Sequence, residues 1–164
     1  MNFLKTEHQK QIVKVQLYRP NVRNAFNPEM IAELTRLFKE LGKNRQVRVV
    51  ILSGAGASFC AGADLDWMKS MAKYTKAQNK KDAEKLFEMF ESLYRLPAVL
   101  IGQAHGHVMG GGLGLLAVCD LVVAAEKTEF CFSEAKLGLS PAVISAFVKN
   151  KISPSEMSRW FLTA

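Results

Sequence analysis

The stretch Gln103-Ala104-His105-Gly106-His107-Val108-Met109-Gly110-Gly111-Gly112-Leu113-Gly114-Leu115-Leu116-Ala117-Val118-Cys119-Asp120 limits what this chain can fold into more than any other. It lies between two compact apolar runs, Ala98-Val99-Leu100-Ile101 and Leu121-Val122-Val123-Ala124-Ala125, and both read as buried strands. Between them, Leu113, Leu115, Leu116, Ala117 and Val118 suit a short buried helix. Three consecutive glycines at a helix start are costly in backbone entropy. What they offer is backbone N–H groups unshielded by a Cβ, at the positive end of a helix dipole, where an oxygen can approach closely. That suits an anion or a developing oxyanion. Close packing of helix on sheet is the other use of such glycines.

Ahead of this unit, Gln11-Ile12-Val13-Lys14-Val15-Gln16-Leu17-Tyr18 alternates apolar and polar residues from Val13 onward, as a half-buried strand does. Residues 2–7 can pair with it as a hairpin. Arg19 to Phe26 reads as a loop, and Asn27 then caps a helix with Pro28 at its first position. Met30, Ile31, Leu34, Leu37, Phe38 and Leu41 share one face of that helix, and Gly42 is expected to close it. Val47-Arg48-Val49-Val50-Ile51-Leu52 is a strand, so strand–helix–strand forms a βαβ unit with parallel strands. The loop from Ala57 to Leu65 leaves the C-terminal end of this strand, where ligands bind in open α/β folds. Ala61, Gly62 and Ala63 again leave backbone accessible, and Asp64 can cap a short helix through Leu65, Trp67 and Met68.

The segment from Lys76 to Arg95 reads as a second amphipathic helix, with Ala83, Leu86, Phe87, Phe90, Leu93 and Tyr94 on its apolar side and Pro97 beyond its end. After the glycine-rich unit come a short strand, Glu129-Phe130-Cys131-Phe132, and a turn-rich loop from Ser133 to Pro141. Ala142 to Lys151 reads as helix, and Ser153-Pro154-Ser155-Glu156 is a capping box that starts another.

At 164 residues the chain can bury one core, so a single α/β domain over residues 1–164 is expected. No apolar run is long enough to cross a membrane, and the first residues lack the apolar core of a secretory signal. Cys60, Cys119 and Cys131 form neither a paired framework nor a metal-ligand spacing, so reduced, mostly buried thiols in the cytoplasm are expected. The net charge of +7 is concentrated in lysines between Lys69 and Lys85. It reads first as a solvated helix face and second as a surface for an anionic small ligand. No zinc-finger or RNA-binding aromatic motif accompanies it, so neither nucleic acid nor membrane is expected as a partner.

Four blocks together carry a resemblance: Arg19-Pro20 with Asn24-Ala25-Phe26, then Ser58-Phe59-Cys60-Ala61-Gly62-Ala63-Asp64-Leu65, then Gly106 with Gly110-Gly111-Gly112, then Cys119-Asp120. In order and spacing the chain resembles the crotonase superfamily, the enoyl-CoA hydratase/isomerase family. The resemblance implies a ββα spiral core, acyl-CoA thioester substrates, and no metal or redox cofactor, coenzyme A entering only as part of the substrate. It also implies C-terminal helices beyond Ala164 that cover the acyl site and contribute to a trimer or a dimer of trimers. By the same resemblance the backbone N–H groups of Ala63 and Gly111 form an oxyanion hole, and Val22, Arg23, Ala25, Ala61, Asp64, Leu65 and Gly110 match CoA-binding positions. Arg23 suits the nucleotide phosphates, with a solvent-facing role as the alternative. The chemistry agrees: an enoyl thioester reacts through an enolate, and one fixed N–H donor to that oxygen is worth about 3 kcal/mol.

Many hydratases of this family carry two glutamates. The second position matches Glu134, and the first falls on Gly114, which has no side chain. A single carboxylate can move a proton between carbons, as in an enoyl-CoA isomerase, or handle water with help from another group or from a carboxylate on the substrate. The run from Ser133 to Ser145 is similar to bacterial 3-methylglutaconyl-CoA hydratases of leucine breakdown, which favours a hydratase. An isomerase, a decarboxylase or a non-catalytic relative that kept the fold are the alternatives, and Glu134 as a surface carboxylate paired with Lys136 is the plain one. Gly112-Leu113-Gly114-Leu115-Leu116-Ala117 fits a loose dinucleotide pattern, but residues 105–109 separate it from its strand. His105 and His107 lack a third metal ligand at a sensible spacing, leaving His107 as a residue that could orient a water. Cys60 has no base placed beside it and reads as a buried filler. Trp67 and Met68 suit core packing before a pocket wall.

Overall fold

The computed structural model describes residues 2–164. Strand β1 (Leu4–Gln9) folds back antiparallel onto β2 (Ile12–Leu17), pairing Leu4 with Leu17. Period-two alternation puts Val13, Val15 and Leu17 in the core and leaves the residues between them partly in solvent. Helix α1 (Pro28–Lys43) begins where expected: the Asn27 side chain accepts from Met30 N at 3.0 Å, and all six apolar face residues are buried. Gly42 does not close it. Its backbone stays out of the left-handed region, so the helix passes through it to Lys43 and is capped at Asn44.

Next come β3 (Val49–Gly54), α2 (Leu65–Met71), α3 (Lys76–Tyr94) and β4 (Val99–Ala104). They are followed by β5 (His107–Met109), α4 (Gly111–Ala117), β6 (Leu121–Ala124), β7 (Glu129–Cys131), α5 (Ala142–Val148) and α6 (Pro154–Thr163). A five-stranded sheet has the order β1-β2-β3-β4-β6, parallel from β2 onward, and β5 and β7 form a small parallel sheet beside it. Isolated parallel bridges, Phe26 to Ala63 and Cys60 to Val108, extend that small sheet backward along the chain. The same unit therefore recurs: a strand in the large sheet, a corner, a short extended piece in the small sheet, then a helix. This is the ββα spiral, and its corners stack at one end of the large sheet.

Helices α1 and α3 pack together over the core. Phe90 of α3 joins three parts of it, with its ring edge-on to Phe26 at 6.4 Å and tilted against Phe147 of α5 at 5.7 Å. Removing such a ring typically costs about 3–5 kcal/mol. Met89, absent from the apolar face read in the sequence, is fully buried beside it. The lysines of α3 are solvated, as with Lys80 beside Glu84 at 3.8 Å on the exposed side.

Three readings are corrected. The run Leu121–Ala124 is not buried: as the edge of the large sheet it leaves Leu121 58% and Val123 63% exposed. Residues 107–109, read only as separating a strand from the glycine run, form β5, a three-residue strand too short to show periodicity. The helix expected over 142–151 stops at Val148. Among the described residues no helix is long and apolar enough to cross a membrane.

Candidate active site

The corners of the spiral open onto a cavity of about 890 Å³. Its walls are mostly apolar, with Trp67, Met71, Leu86, Val143 and Ile144 among them. Trp67, buried at the start of α2, is thus both core and wall.

Two glycine-rich corners meet here at backbone distance. Gly62, with φ 88°, has its Cβ position 2.9 Å from Met109 O and 3.4 Å from Gly111 N. Gly112 has its Cβ position 2.5 Å from Cys60 O. A side chain at either would push the two corners apart, so glycine is required by the approach itself. The result is selective. Gly62 N points to Cys60 Sγ at 3.4 Å, Asp64 N donates to Phe26 O at 3.0 Å, and Gly110 N donates to Cys131 O at 2.9 Å. Between these engaged groups, the N–H groups of Ala63 and Gly111 donate to no acceptor among the described residues, and both residues line the cavity. Unspent donors at a partly apolar cavity are what a developing oxyanion needs.

Buried polar groups behind the first corner hold it in place. Asn24, completely buried, adopts a left-handed backbone with φ 56°, which asparagine tolerates. Its amide donates to Ala55 O and Ser58 O, both at 2.8 Å, and to Phe59 O at 3.2 Å, while its side-chain oxygen accepts from Arg19 N at 2.9 Å. Asp64 caps α2 by accepting from Asp66 N at 2.9 Å and Trp67 N at 3.4 Å, and it pairs with Arg19 at 3.0 Å. Burial works to raise the Asp64 carboxyl, but the Arg19 hydrogen bond, the two helix N–H groups and the Arg19 charge outweigh it and hold the group below its ordinary range. The sequence reading missed both Asn24 and the Arg19–Asp64 pair. Arg19 and Asn24 were visible in the first block, but their partners lie dozens of residues away.

Glu134 stands on the other wall, at the head of a 3-10 turn (Ala135–Leu137) that follows β7. Its Oε1 lies 3.1 Å from the Cβ position of Gly110, and its Oε2 is buried without a hydrogen-bond partner among the described residues. Burial pushes its carboxyl above the ordinary value of 4.5. Among the described residues no cation lies within ion-pair distance of it, so the pairing with Lys136 is not formed. Glu134, Ala63, Gly111 and the seven residues Val22, Arg23, Ala25, Ala61, Asp64, Leu65 and Gly110 all line the one cavity. Arg23 is exposed, next to Val22. The Asp64 side chain is occupied by Arg19 and α2.

The position of the first glutamate is closed by packing. The Cβ position of Gly114 is 2.5 Å from Ile144 Cγ2 and 2.7 Å from Phe90 Cζ, so no side chain enters there unless those two side chains give way. Other candidates fall away from the cavity. His107 approaches Ser58 Oγ at 3.3 Å and Glu129 at 3.5 Å, and His105 contacts Gly56 O at 2.9 Å. Neither histidine lines the cavity. Cys60 and Cys119 are buried thiols pushed up to about 12 by desolvation, a state that suppresses the thiolate. Cys131 is half-buried. Among the described residues no group of three or more His, Cys, Asp or Glu side chains is arranged to hold a metal.

The profile of the enoyl-CoA hydratase/isomerase family matches residues 7–164. An enoyl-CoA hydratase of Alternaria alternata is 36% identical over 152 residues, which is 93% of this chain and 49% of that protein. Human mitochondrial Delta(3,5)-Delta(2,4)-dienoyl-CoA isomerase is 33% identical over 146 residues, or 84% of this chain and 44% of the isomerase. The crystal structure of an enoyl-CoA hydratase from Shewanella pealeana superposes with a TM-score of 0.95 at 36% identity, covering 99% of this chain and 61% of the other. The chain spans about half the length of the curated relatives it matches.

Proposed function

The chain belongs to the enoyl-CoA hydratase/isomerase family, and on that premise we propose that it carries the acyl-CoA site of a hydratase, which adds water across the double bond of a 2-enoyl thioester. The observation that carries this reading is one cavity holding two unspent backbone donors and one unpartnered carboxyl. The thioester carbonyl accepts from Ala63 and Gly111. As the water oxygen bonds to C3, its proton passes to the Glu134 carboxylate and the π electrons move onto the thioester oxygen as an enolate. Glu134 then returns the proton to C2, and the enolate collapses to the 3-hydroxyacyl thioester. The amides favour the enolate without reorganising. Arg23, exposed beside Val22, suits the phosphates of coenzyme A.

The branched 3-methylglutaconyl-CoA is the first acyl group to test, on the likeness of residues 133–145. One observation favours a second reading: Phe90 and Ile144 close the place of a second carboxylate, and a single carboxylate suffices for an isomerase. Turnover of 3-methylglutaconyl-CoA, crotonyl-CoA and a 3-enoyl-CoA separates the two. Hydration of either 2-enoyl substrate is expected, whereas turnover of the 3-enoyl substrate alone would replace the hydratase with an isomerase.

Glu134→Gln should lower kcat by about 10³-fold or more with acyl-CoA affinity nearly unchanged, because it removes the proton carrier and leaves the amides. Equal loss of binding would make Glu134 structural. The carboxyl must start ionised to take the proton from water. Its upward shift therefore places the acid limb of kcat/KM above pH 4.5, with activity falling as pH drops through that limb.

A further inference from the structure

A lone carboxylate can take a proton from water, but it does not by itself aim the oxygen. The usual second carboxylate has no room at Gly114, where Ile144 and Phe90 fill the space. A different oxygen stands beside Glu134. Ser133 Oγ and Glu134 Oε1 each lie 3.1 Å from the same point, the Cβ position of Gly110. Two atoms that close to a common point are near enough that a small side-chain rotation lets one water touch both. Both residues line the cavity, next to the unspent Gly111 N–H.

The plain account of Ser133 is a turn-forming serine, its hydroxyl spent on the backbone ahead of the 3-10 turn. The hydrogen bonds there argue against it. Ala135 N donates to Phe132 O at 3.3 Å and Leu137 N to Glu134 O at 2.9 Å, so the turn closes through main-chain groups. The half-buried Ser133 hydroxyl makes no hydrogen bond to the described residues, and no side chain at Gly110 separates it from the carboxyl. Gly110 itself is held by its N–H on Cys131 O at 2.9 Å, which fixes the glycine corner against the end of β7, two residues before Ser133.

We propose that Ser133 is a second catalytic residue, whose hydroxyl oxygen holds the attacking water against Glu134. This rests on the hydratase reading above. The water gives one hydrogen to the Glu134 carboxylate and the other, as a hydrogen bond, to Ser133 Oγ, which leaves a lone pair free for C3. When the C3–O bond forms, the proton moves to Glu134 and later to C2. Ser133 gains and loses none. Proton removal from a carbon needs Glu134 and the two amides but no water, so it is independent of Ser133.

The test uses Ser133→Ala and Ser133→Thr with two reactions: hydration of the enoyl thioester that the wild type turns over, and exchange of the C2 hydrogen of butyryl-CoA with D2O. Ser133→Ala should lower kcat for hydration on the order of 10- to 100-fold, the scale of a hydrogen bond to a reacting group, with exchange within about twofold and an unchanged melting temperature. Ser133→Thr keeps the hydroxyl and should retain most of the hydration rate. Unchanged hydration in Ser133→Ala overturns the proposal alone, and so does an equal loss in both reactions, which would mark a structural residue. A wild type that exchanges the C2 hydrogen yet hydrates none of the panel overturns the hydratase reading, and the role of Ser133 with it.

Discussion

The two walls of the cavity are built to different specifications. On one side Ala63 and Gly111 offer main-chain N–H groups, and main chain moves only if the fold moves. Asn24 ties three carbonyls of the adjoining corner at 2.8–3.2 Å, Asp64 and Arg19 lock its far end, and Gly62 and Gly112 let the two corners touch. On the other side Glu134 and Ser133 offer side chains on a turn whose neighbours Leu137 and Leu139 are more than half exposed. The difference suits the hydration proposed above. An oxyanion is stabilised in proportion to how little its donors rearrange, whereas a carboxylate that serves water and then carbon must reach two positions. On the hydration proposed above, main-chain donors would serve the oxyanion and the Glu134 side chain would carry the proton.

The largest break in this contrast should come from Asn24→Ala. It removes three donated hydrogen bonds in a fully buried place and puts alanine at a left-handed φ of 56°. The carbonyls of Ala55, Ser58 and Phe59 lose their Asn24 partner. We expect a loss of about 3–5 kcal/mol in denaturant unfolding. Acyl-CoA affinity and kcat should also fall together, since both depend on where the amides stand. A variant with wild-type stability would show that the amide wall is held by packing rather than by Asn24.

Gly114→Ala probes the joint between the walls. One added carbon meets Ile144 at 2.5 Å and Phe90 at 2.7 Å, so those side chains on α5 and α3 must shift. Overpacking of this kind costs about 1–3 kcal/mol. Because Ile144 and the Ser133–Glu134 turn flank the same cavity, the shift should lower kcat more than it raises KM for the thioester. A pure KM effect would mean that the disturbance had travelled to the amide side instead, and the two walls would not be mechanically separate.

Much of this arrangement was legible in the sequence, for reasons that also explain the gaps. Helix α1 announced itself through Asn27, Pro28 and six apolar residues at helical spacing, all local signals. The parallel βαβ order was local, the spiral came with the resemblance that four motifs in register carry, and the residues that resemblance named for the site line the cavity. What escaped depended on distant partners. The bonds that make Asn24 a keystone reach residues 31 to 35 positions away. The plug over Gly114 comes from α3 and α5, which periodicity describes one helix at a time. The run Leu121–Ala124 has the composition of a buried strand, but whether an apolar strand is covered depends on its neighbours in the sheet, and here it is an edge.

The smallest effect, and the one that most sharpens the comparison, is a pH dependence of opposite sign on the two walls. Arg19 and Asp64 are both mostly buried, with side-chain exposures of 18% and 15%, and the Asp64 carboxyl is held below its ordinary value of 3.8. A carboxyl depressed in the folded state adds stability above its unfolded pKa, and that stability is lost as pH falls through the lower folded value. Asp64→Asn keeps a side-chain oxygen for the α2 N–H groups but removes the charge that Arg19 pairs with. The stability gap between wild type and Asp64→Asn should therefore be flat, about 1–2 kcal/mol, above pH 5, and should shrink steadily below the ordinary value. Glu134 runs the opposite way: its raised carboxyl stabilises the fold when protonated, so Glu134→Gln should gain on wild type as pH rises above 4.5. Denaturant melts of the two variants from pH 3 to pH 8 should thus diverge in opposite directions, one wall weakened by acid and the other relieved by it. Parallel curves would remove the electrostatic half of the distinction and leave only the geometric one.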